Sequence, residues 1–268
     1  MDEKNVTVTM LPSQVYFSQL IQQFQQGRKF TQLRYLFGGG GTGKKSMTMF
    51  KSVCESLDCG YLGVYGQTEA TGPVTTITNP DCFERPDSCR HAQDGFSLQI
   101  WDEQHQPLTT NQVGEIMVKS PTCVTYWNND KTNQALYTNG WLHTGDLGRL
   151  DEAGFLYFID RKKELVKTCA ENVYPREVEA VLETLPEIRE VTIIGLPDEK
   201  WGERVTAVVV FQPDSVLTLE QIRNHCKGKI GGYKIPKDLR IVSMLPRNAT
   251  GKIVKRQLRA KRGYNPAS

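Results

Sequence analysis

The sequence predicts an α/β layer, then a β-rich barrel- or sandwich-like region, then a small α+β domain. Three observations carry that reading. Over residues 33–66 a strand pattern, a glycine run, a helix pattern and a second strand pattern succeed one another, which is the order of an α/β layer. From Asp81 to Asp160 short apolar segments alternate with turn residues, as in barrels and sandwiches. After residue 160, helix and strand patterns mix over about 105 residues, within the size range of a domain.

In chain order, SQVYFSQLIQQF spaces Val15, Phe17, Leu20, Ile21 and Phe24 by threes and fours, the spacing of an amphipathic helix. Leu33 to Phe37 reads as a buried strand, and the glycine run Gly38 to Gly41 as a loop. SMTMFKSVCESL reads as a helix and YLGVYG as a short strand. FSLQIW, GEIMVKS and GFLYFID are the β segments of the middle region, and a helix is expected from Asp130 to Tyr137. RKKE is a charged connector, and the best domain boundary falls between Arg161 and Glu164. Beyond it Val178, Val181, Leu182 and Leu185 lie at i, i+3, i+4 and i+7, a helical stripe. EVTIIGLP and ERVTAVVVF are strands, LEQIRNHC is a helix, and the basic tail KRQLRAKRGYNPAS is expected to fray into a polar end.

Composition narrows the class. Of 268 residues, 38% are hydrophobic and 24% charged, which excludes a disordered tail, a collagen-like fibre and a coiled coil. No apolar run approaches the roughly 20 residues of a membrane helix, so no transmembrane segment is expected. The opening MDEKNVTVTM has no long apolar stretch, which argues against a secretory signal. A net charge of +3 from 33 basic and 30 acidic residues does not imply nucleic acid. The seven cysteines are scattered without a CxxC pair, so a disulfide framework or zinc site is not expected, and a reducing cytoplasm fits best.

Four strings carry candidate chemistry. GGGGTGKKS, Gly38 to Ser46, nearly matches a phosphate-binding G-x-x-x-x-G-K-[ST] loop through Gly38, Gly43 and Lys44. However, Lys45 stands where that loop needs a hydroxyl, and Ser46 is one position late, about 100° round a helix. A glycine-rich turn is the simpler reading. VYGQTEATG, Val64 to Gly72, ends a strand in an aromatic ring, hydroxyls and a carboxylate. That set suits a nucleotide with Mg²⁺, since Glu is a hard oxygen ligand and Thr can donate to phosphate; an ordinary polar turn is the alternative. In GWLHTGDLGRLDEAGFLYFIDRKKEL, Asp146 is placed to accept from a ribose diol, and Arg161 offers a guanidinium fork. The plainer readings are a turn-capping Asp and a surface ion pair of Asp160 with Arg161. In LPRNATGKIVKRQLR a Thr-Gly turn presents Lys252 at a loop tip, where its ammonium suits charge gathering on phosphate and carboxylate. A solvated basic helix is the alternative.

The ordered set VYGQTEATG, WLHTGD, DRKKEL with ENVYPREVE, and LPRNATGK closely resembles the adenylate-forming superfamily, specifically the acid–CoA ligases (acyl-CoA synthetases), over about Val6 to Arg259. The resemblance implies ATP-dependent, AMP-forming activation of a carboxylic acid, followed by transfer of the acyl group to CoA. It implies that Gly39, Gly40 and Gly41 lie along the adenine and acyl pocket. Tyr65 stacks near the adenine, within a nucleotide-binding stretch that includes Gly66 and Gln67. Thr68 binds the α-phosphate and Glu69 holds Mg²⁺. Asp146 binds the ribose hydroxyls with Arg161, and Lys252 bridges the acid carboxylate and α-phosphate. Lys163 falls at the hinge about which the small domain of relatives rotates between half-reactions. Cys169, Ala170 and Glu171 fall in the segment that shapes a CoA tunnel.

The implied domains are 1–82, a partial α/β subdomain; 83–160, a β-rich subdomain; 161–163, the hinge; and 164–268, a small mobile C-terminal domain. The first two resemble the remnant of a large N-terminal domain. Members of the superfamily also carry an upstream Ser/Thr/Gly-rich loop with a lysine for the β- and γ-phosphates, and nothing like it precedes Gly38. The chain thus resembles a C-terminal half, expected to be incomplete alone and to pair with a missing N-terminal half or self-associate through residues 1 to about 80. A non-catalytic binding or regulatory module is the alternative. Three departures from the superfamily stand out. Cys169-Ala170 replaces Gly-Gly, Arg90 stands where a glycine is usual, and Gly41-Thr42 stands near a usual Ala-Pro. The strings look most like the fatty-acid or aryl-acid branch, without fixing which acid.

Overall fold

The computed structural model describes residues 4–11, 14–39, 44–249 and 251–260. The chain divides into two compact units, Met1–Phe158 and Ile159–Ser268.

The first unit opens with a sheet built in chain order. Strand β1 (Val8–Met10) leads through helix α1 (Gln14–Gln25) to β2 (Tyr35–Gly39), and helix α2 (Lys44–Leu57) leads to β3 (Gly60–Gln67). These three strands are parallel, and β4 (Gly72–Thr78) turns back antiparallel on β3. Parallel neighbours need such helical crossovers. The apolar stripe of α1 explains its packing: Phe17 and Leu20 are buried, and Ile21 and Phe24 lie against the same core. Phe17 stacks on Phe50 of α2 at 4.0 Å between ring centroids, and Phe50 stacks on Tyr61 of β3 at 5.1 Å. Each such pair adds about 0.5–1.5 kcal/mol beyond its buried area.

The glycine run is not wholly a loop. Gly38 and Gly39 are the last residues of β2 and pair with Gly63 and Val64. Their missing side chains are the cause: a Cβ on Gly38 would lie 2.9 Å from the Tyr61 hydroxyl, which donates to the Gly39 carbonyl at 2.7 Å. Gly40 to Gly43, four of the nine residues of the phosphate-loop candidate, lie outside the described residues.

A short helix α3 (Asp81–Glu84) leads into a second, antiparallel sheet. Its members are β5 (Ser88–Arg90), β6 (Ser97–Trp101), β7 (Gly114–Lys119), then helix α4 (Asp130–Leu136), β8 (Tyr137–Thr138), β9 (Trp141–Leu150) and β10 (Leu156–Arg161). The strand order is β5-β10-β9-β7-β6, with β8 paired to β9. Helix α4 is capped by Asn129, whose side chain accepts from the Thr132 amide, a preferred N-cap arrangement. Ile116, Met117 and Val118 of β7 are all fully buried, so both faces of this strand are covered and strict alternation is lost.

The second unit begins with a hairpin, β11 (Val166–Thr168) and β12 (Glu171–Val173), followed by helix α5 (Pro175–Leu182). Pro175 at the first turn suits a helix start, where its missing N–H has no partner to lose. Strands β13 (Ile188–Asp198) and β14 (Gly202–Phe211), helix α6 (Leu219–Cys226), β15 (Asp238–Ile241) and helix α7 (Lys255–Ala260) complete it. The order is β12-β11-β14-β13, and β15 pairs with β14 in parallel. Both faces of the β13–β14 pair are buried. Ile193, Val205, Ala207 and Val209 join α5 and α6 in one core, while Ile194, Leu196, Val208 and Val210 meet Leu245 and Leu258 in another. A capping box of Thr218 and Gln221 starts α6.

The tail departs from its expectation. Lys255–Ala260 is helical rather than frayed, because Leu258 is buried and Arg259 pairs with Glu164 at 2.6 Å. Residues 261–268 lie outside the described residues. Among the described residues no helix is long and apolar enough to cross a membrane.

Candidate functional site

In the first unit the site is built from the end of β3 and an irregularity in β9. Pairing of β7 with β9 runs Met117 to His143 and then Glu115 to Leu147. One residue, Ile116, therefore faces three, Thr144, Gly145 and Asp146. Such a bulge bends a strand and re-aims side chains, and Gly145 takes the left-handed φ of +69° that it needs.

Side chains satisfy the bulge. The Thr144 hydroxyl donates to the Ile116 carbonyl at 2.6 Å and accepts from the Asp146 amide at 3.1 Å. The Gly145 amide donates to the buried Glu115 carboxylate at 3.1 Å, and the other Glu115 oxygen lies 3.2 Å from His143 Nδ1. Thr138 closes this chain, 2.9 Å from His143 Nε2. Asp146 is thus a buried strand residue, 9% exposed, and not a turn cap.

The bulge joins two of the sequence candidates. Tyr65, on β3, donates its hydroxyl to Asp146 Oδ2 at 3.1 Å. Burial, reinforced by the neighbouring Asp146 charge, pushes the Tyr65 hydroxyl well above the usual phenol range, so it stays a proton donor to the carboxylate. The next residue, Gly66, permits a close crossing: a Cβ there would sit 2.1 Å from the Gly72 carbonyl oxygen. Gln67 follows, its Nε2 buried without a hydrogen-bond partner. Thr68, exposed, starts a 3-10 turn (Thr68–Ala70) that ends at Thr71 with φ +60°. Glu69, in that turn, accepts from the Tyr126 hydroxyl, and its carbonyl accepts from the Val124 amide at 2.9 Å. The hydrogen bond to Glu69 raises the Tyr126 hydroxyl above its ordinary range. Thr71 ties the turn down by donating to the Thr122 carbonyl at 3.0 Å.

The donor set fits a nucleotide. Asp146 is a buried acceptor, Gln67 an unsatisfied buried donor, and Thr68 an exposed hydroxyl. Among the described residues no group of three His, Cys, Asp or Glu is arranged to hold a metal. A single carboxylate, Glu69, suits Mg²⁺ carried in by phosphates, since Mg²⁺ is usually held by one or two carboxylates plus substrate oxygens.

The remaining candidates belong to the second unit. Asp160 is buried, and its carboxylate accepts from the Arg161 and Arg176 amides at 2.8 and 3.0 Å. Burial nevertheless raises its pKa, those bonds only partly offsetting it. Arg161 and Lys163 are exposed, Lys163 within a 3-10 turn (Lys162–Glu164) anchored by Glu164 on Arg259. Cys169 and Ala170 form the two-residue link of the β11–β12 hairpin, with φ +49° and +62°, and Glu171 opens β12. Lys252 is exposed on a turn whose Asn248 side chain accepts from the Lys252 amide at 2.9 Å, with Gly251 at φ +82°. Of the nucleotide candidates, Gly39 ends β2, and Gly40 and Gly41 lie outside the described residues.

Sequence reasoning missed Glu115, Thr144 and Tyr126. Glu115 is the buried charged residue of a strand, GEIMVK, whose other charge, Lys119, is exposed. That burial pattern is the one signal that could have marked it.

Comparison with known proteins shows the family and the fold. Residues 1–127 match the AMP-binding enzyme family, and residues 177–252 match the AMP-binding enzyme C-terminal domain. The 2-succinylbenzoate–CoA ligase of Bacillus mycoides (strain KBAB4) is 33% identical over 258 residues, covering 96% of this chain and 52% of that protein. The long-chain-fatty-acid–CoA ligase FadD13 of Mycobacterium tuberculosis is 36% identical over 196 residues, 73% of this chain and 39% of that protein. Among solved structures, the o-succinylbenzoate CoA synthetase MenE of Bacillus subtilis is similar in two complexes. With the acyl-adenylate intermediate OSB-AMP the TM-score is 0.82 at 31% identity, over 97% of this chain and 52% of that one. With ATP and magnesium ion it is 0.81 at 30% identity, over 96% and 52%. The chain spans about half the length of the curated relatives it matches.

Proposed function

The chain belongs to the AMP-binding enzymes of the adenylate-forming superfamily, and from that premise we propose that it supplies the adenosine- and lysine-bearing half of an AMP-forming carboxylic acid–CoA ligase. The observation that carries the reading is the Tyr65–Asp146 hydrogen bond. It unites the two motifs assigned to adenine and ribose, with Glu69 four residues along the same segment. ATP, Mg²⁺, a carboxylic acid and CoA are the reactants, as in the relatives' names and complexes. Asp146 accepts from the ribose hydroxyls with Arg161 assisting, Thr68 binds the α-phosphate, and Glu69 contributes an oxygen to Mg²⁺. Lys252 supplies the cation where an anionic carboxylate attacks an anionic phosphate, a step dominated by electrostatic stabilisation. Lys163 is the pivot within a 161–163 hinge, and Cys169 to Glu171 face the pantetheine of CoA. A reducing cytoplasm suits seven free cysteines.

The 268 residues alone are expected not to catalyse acid-dependent ATP–pyrophosphate exchange, because no Ser/Thr/Gly-rich loop with lysine for the leaving pyrophosphate precedes Gly38 in them. Exchange with any carboxylic acid would refute that. Calorimetry tests the site itself: AMP binds the chain, and Asp146→Asn weakens binding at least about tenfold, the equivalent of 1.4 kcal/mol. No AMP binding, or equal binding by both, refutes the assignment. A second reading, a non-catalytic binding module, is favoured by Cys169 and Ala170, which place side chains on a left-handed turn. It predicts retained AMP binding but no thioester when the exchange activity is reconstituted with the missing groups.

A further inference from the structure

The end of α2 holds two thiols against each other for a reason of backbone geometry. Asp58 takes φ +49°, the left-handed residue that commonly follows a helix end. The Cys59 amide donates to the Cys54 carbonyl at 3.0 Å, and the Asp58 amide to the Glu55 carbonyl at 3.4 Å. This six-to-one and five-to-two pair is the Schellman motif, which brings the third residue from the helix end against the second residue beyond it. In most proteins that contact is between two apolar side chains. Here the two residues are Cys54 and Cys59, which the cap sets side by side.

The pair is also reachable. Cys54 is buried, but Cys59 is half-buried, and both line an open cavity of about 990 Å³ beside Arg34, Tyr35, Lys51 and Phe83. Among the described residues no third ligand completes a metal site, so the chemistry available is that of a dithiol. The nearby Cys82 is buried, which pushes its thiol up to about 11, and its sulfur lies 3.7 Å from the Asn79 side-chain oxygen.

We propose that Cys54 and Cys59 form a dithiol modification site that reacts with a low-molecular-weight disulfide and closes to an intramolecular Cys54–Cys59 disulfide. Cys59 attacks first. The neighbouring Cys54 holds its thiol below the ordinary range despite burial, while Cys59 and burial hold Cys54 above it. A lowered, accessible thiol is the attacking one. The Cys59 thiolate attacks one sulfur of the reagent disulfide, forming a mixed disulfide and expelling one thiolate. Cys54 then loses its proton and attacks the Cys59 sulfur, expelling the second thiolate. Two protein thiols are oxidised by two electrons and one reagent disulfide is reduced to two thiols. The helix cap already holds the partners together, so closure leaves α2 and β3 in place.

The test treats the folded 268-residue chain with oxidised glutathione and maps it by non-reducing mass spectrometry. The expected product has lost two hydrogens, and the peptides separated by cleavage after Glu55 remain joined until reduced. In Cys54→Ser the adduct on Cys59 persists as a stable glutathione mixed disulfide. In Cys59→Ser the buried Cys54 stays unmodified. Cys54→Ala is the second variant should serine not be accommodated in the core. A link to Cys82 instead, a persistent glutathione adduct on the wild-type chain, or no reaction of Cys59 while the chain remains folded overturns the proposal.

Discussion

Replacing both residues of the β11–β12 turn with glycine isolates backbone strain from packing. Cys169 and Ala170 have φ of +49° and +62°, and Thr168 pairs with Glu171 across them. A two-residue hairpin link with both φ positive is the arrangement for which Asn-Gly and Gly-Gly are favoured. Both residues are exposed, so removing their side chains forfeits little contact. The Cys169 amide, which donates to the Trp201 carbonyl at 2.9 Å, is unaffected. A non-glycine residue in this region costs about 1–2 kcal/mol. Glycine returns about 0.4–1 kcal/mol of that as extra freedom of the unfolded chain. The net gain is about 0.5–1 kcal/mol per site, so about 1–2 kcal/mol for Cys169→Gly with Ala170→Gly. Urea unfolding followed by tryptophan fluorescence reads it in a Trp101→Phe, Trp127→Phe, Trp141→Phe background, where Trp201 is the sole reporter. With a slope of about 1–3 kcal/mol/M the midpoint rises by roughly 0.3–2 M. Ala170→Val, a β-branched residue in the same backbone, should lower the midpoint. A double glycine variant no more stable than the parent refutes the strain argument.

Other outcomes follow from the same geometry. Gly66→Ala places a Cβ 2.1 Å from backbone oxygen, so it should cost about 1–3 kcal/mol as an overpacking change and weaken AMP binding, both measurable by calorimetry. Lys255→Ala removes the 2.8 Å partner of Glu179. The loss should be about 2 kcal/mol, below that of a fully buried pair, because Thr192 and Ile193 still donate to Glu179; unfolding of the Lys255→Met control separates charge from packing. Burial works to raise Asp151, but bonds from the Phe155 amide, Tyr157 hydroxyl and Ala153 amide, with Arg85 nearby, hold its carboxyl below the ordinary range. The depressed group lends stability above the unfolded value, about pH 4, and loses it as pH falls through the folded value. Asp151→Asn should therefore be less stable than the parent at pH 7, with the gap closing toward pH 3 in urea titrations. Arg90→Gly relieves a φ of +66° but loses the 3.0 Å ion pair with Asp81. Since an exposed pair contributes under about 1 kcal/mol, the midpoint should hold or rise.

What was legible in the sequence was chemistry carried by contiguous strings. Tyr65, Thr68 and Glu69 share one string and Asp146 stands in another, so side-chain type alone marks them. Their meeting was not legible, because it depends on three residues of β9 facing one of β7. No local pattern in WLHTGD announces a bulge whose support, Glu115, lies 30 residues earlier. The short strands β1, β11, β12 and β15 have three or four residues, too few for alternation to stand out. The strand ending in Gly38 and Gly39 defeats propensity because its cause is the Tyr61 hydroxyl, 22 residues from Gly39. The helical tail has the same kind of cause, since Arg259 is held by Glu164, 95 residues away.

The expected glycines that this chain lacks bear on backbone rather than on chemistry. Arg90, Cys169 and Ala170 each replace an expected glycine, and each has a positive φ. Glycine suits a place where backbone turns left-handed, and here three other residues adopt that conformation. Something must hold it. For Cys169 and Ala170 the register of β11 with β12 and the Trp201 carbonyl do so. For Arg90 the Ser88 hydroxyl accepts its amide at 2.9 Å, and Asp81 pairs with its guanidinium. These positions therefore separate two inheritances: the sheet geometry imposes the backbone, and the side chain is free to change at a cost of about 1–2 kcal/mol each. The Cys169–Ala170 turn is intact, so what distinguishes it from a glycine turn is the side chains projecting from it. Restoring glycine at both positions should remove them without moving the strands.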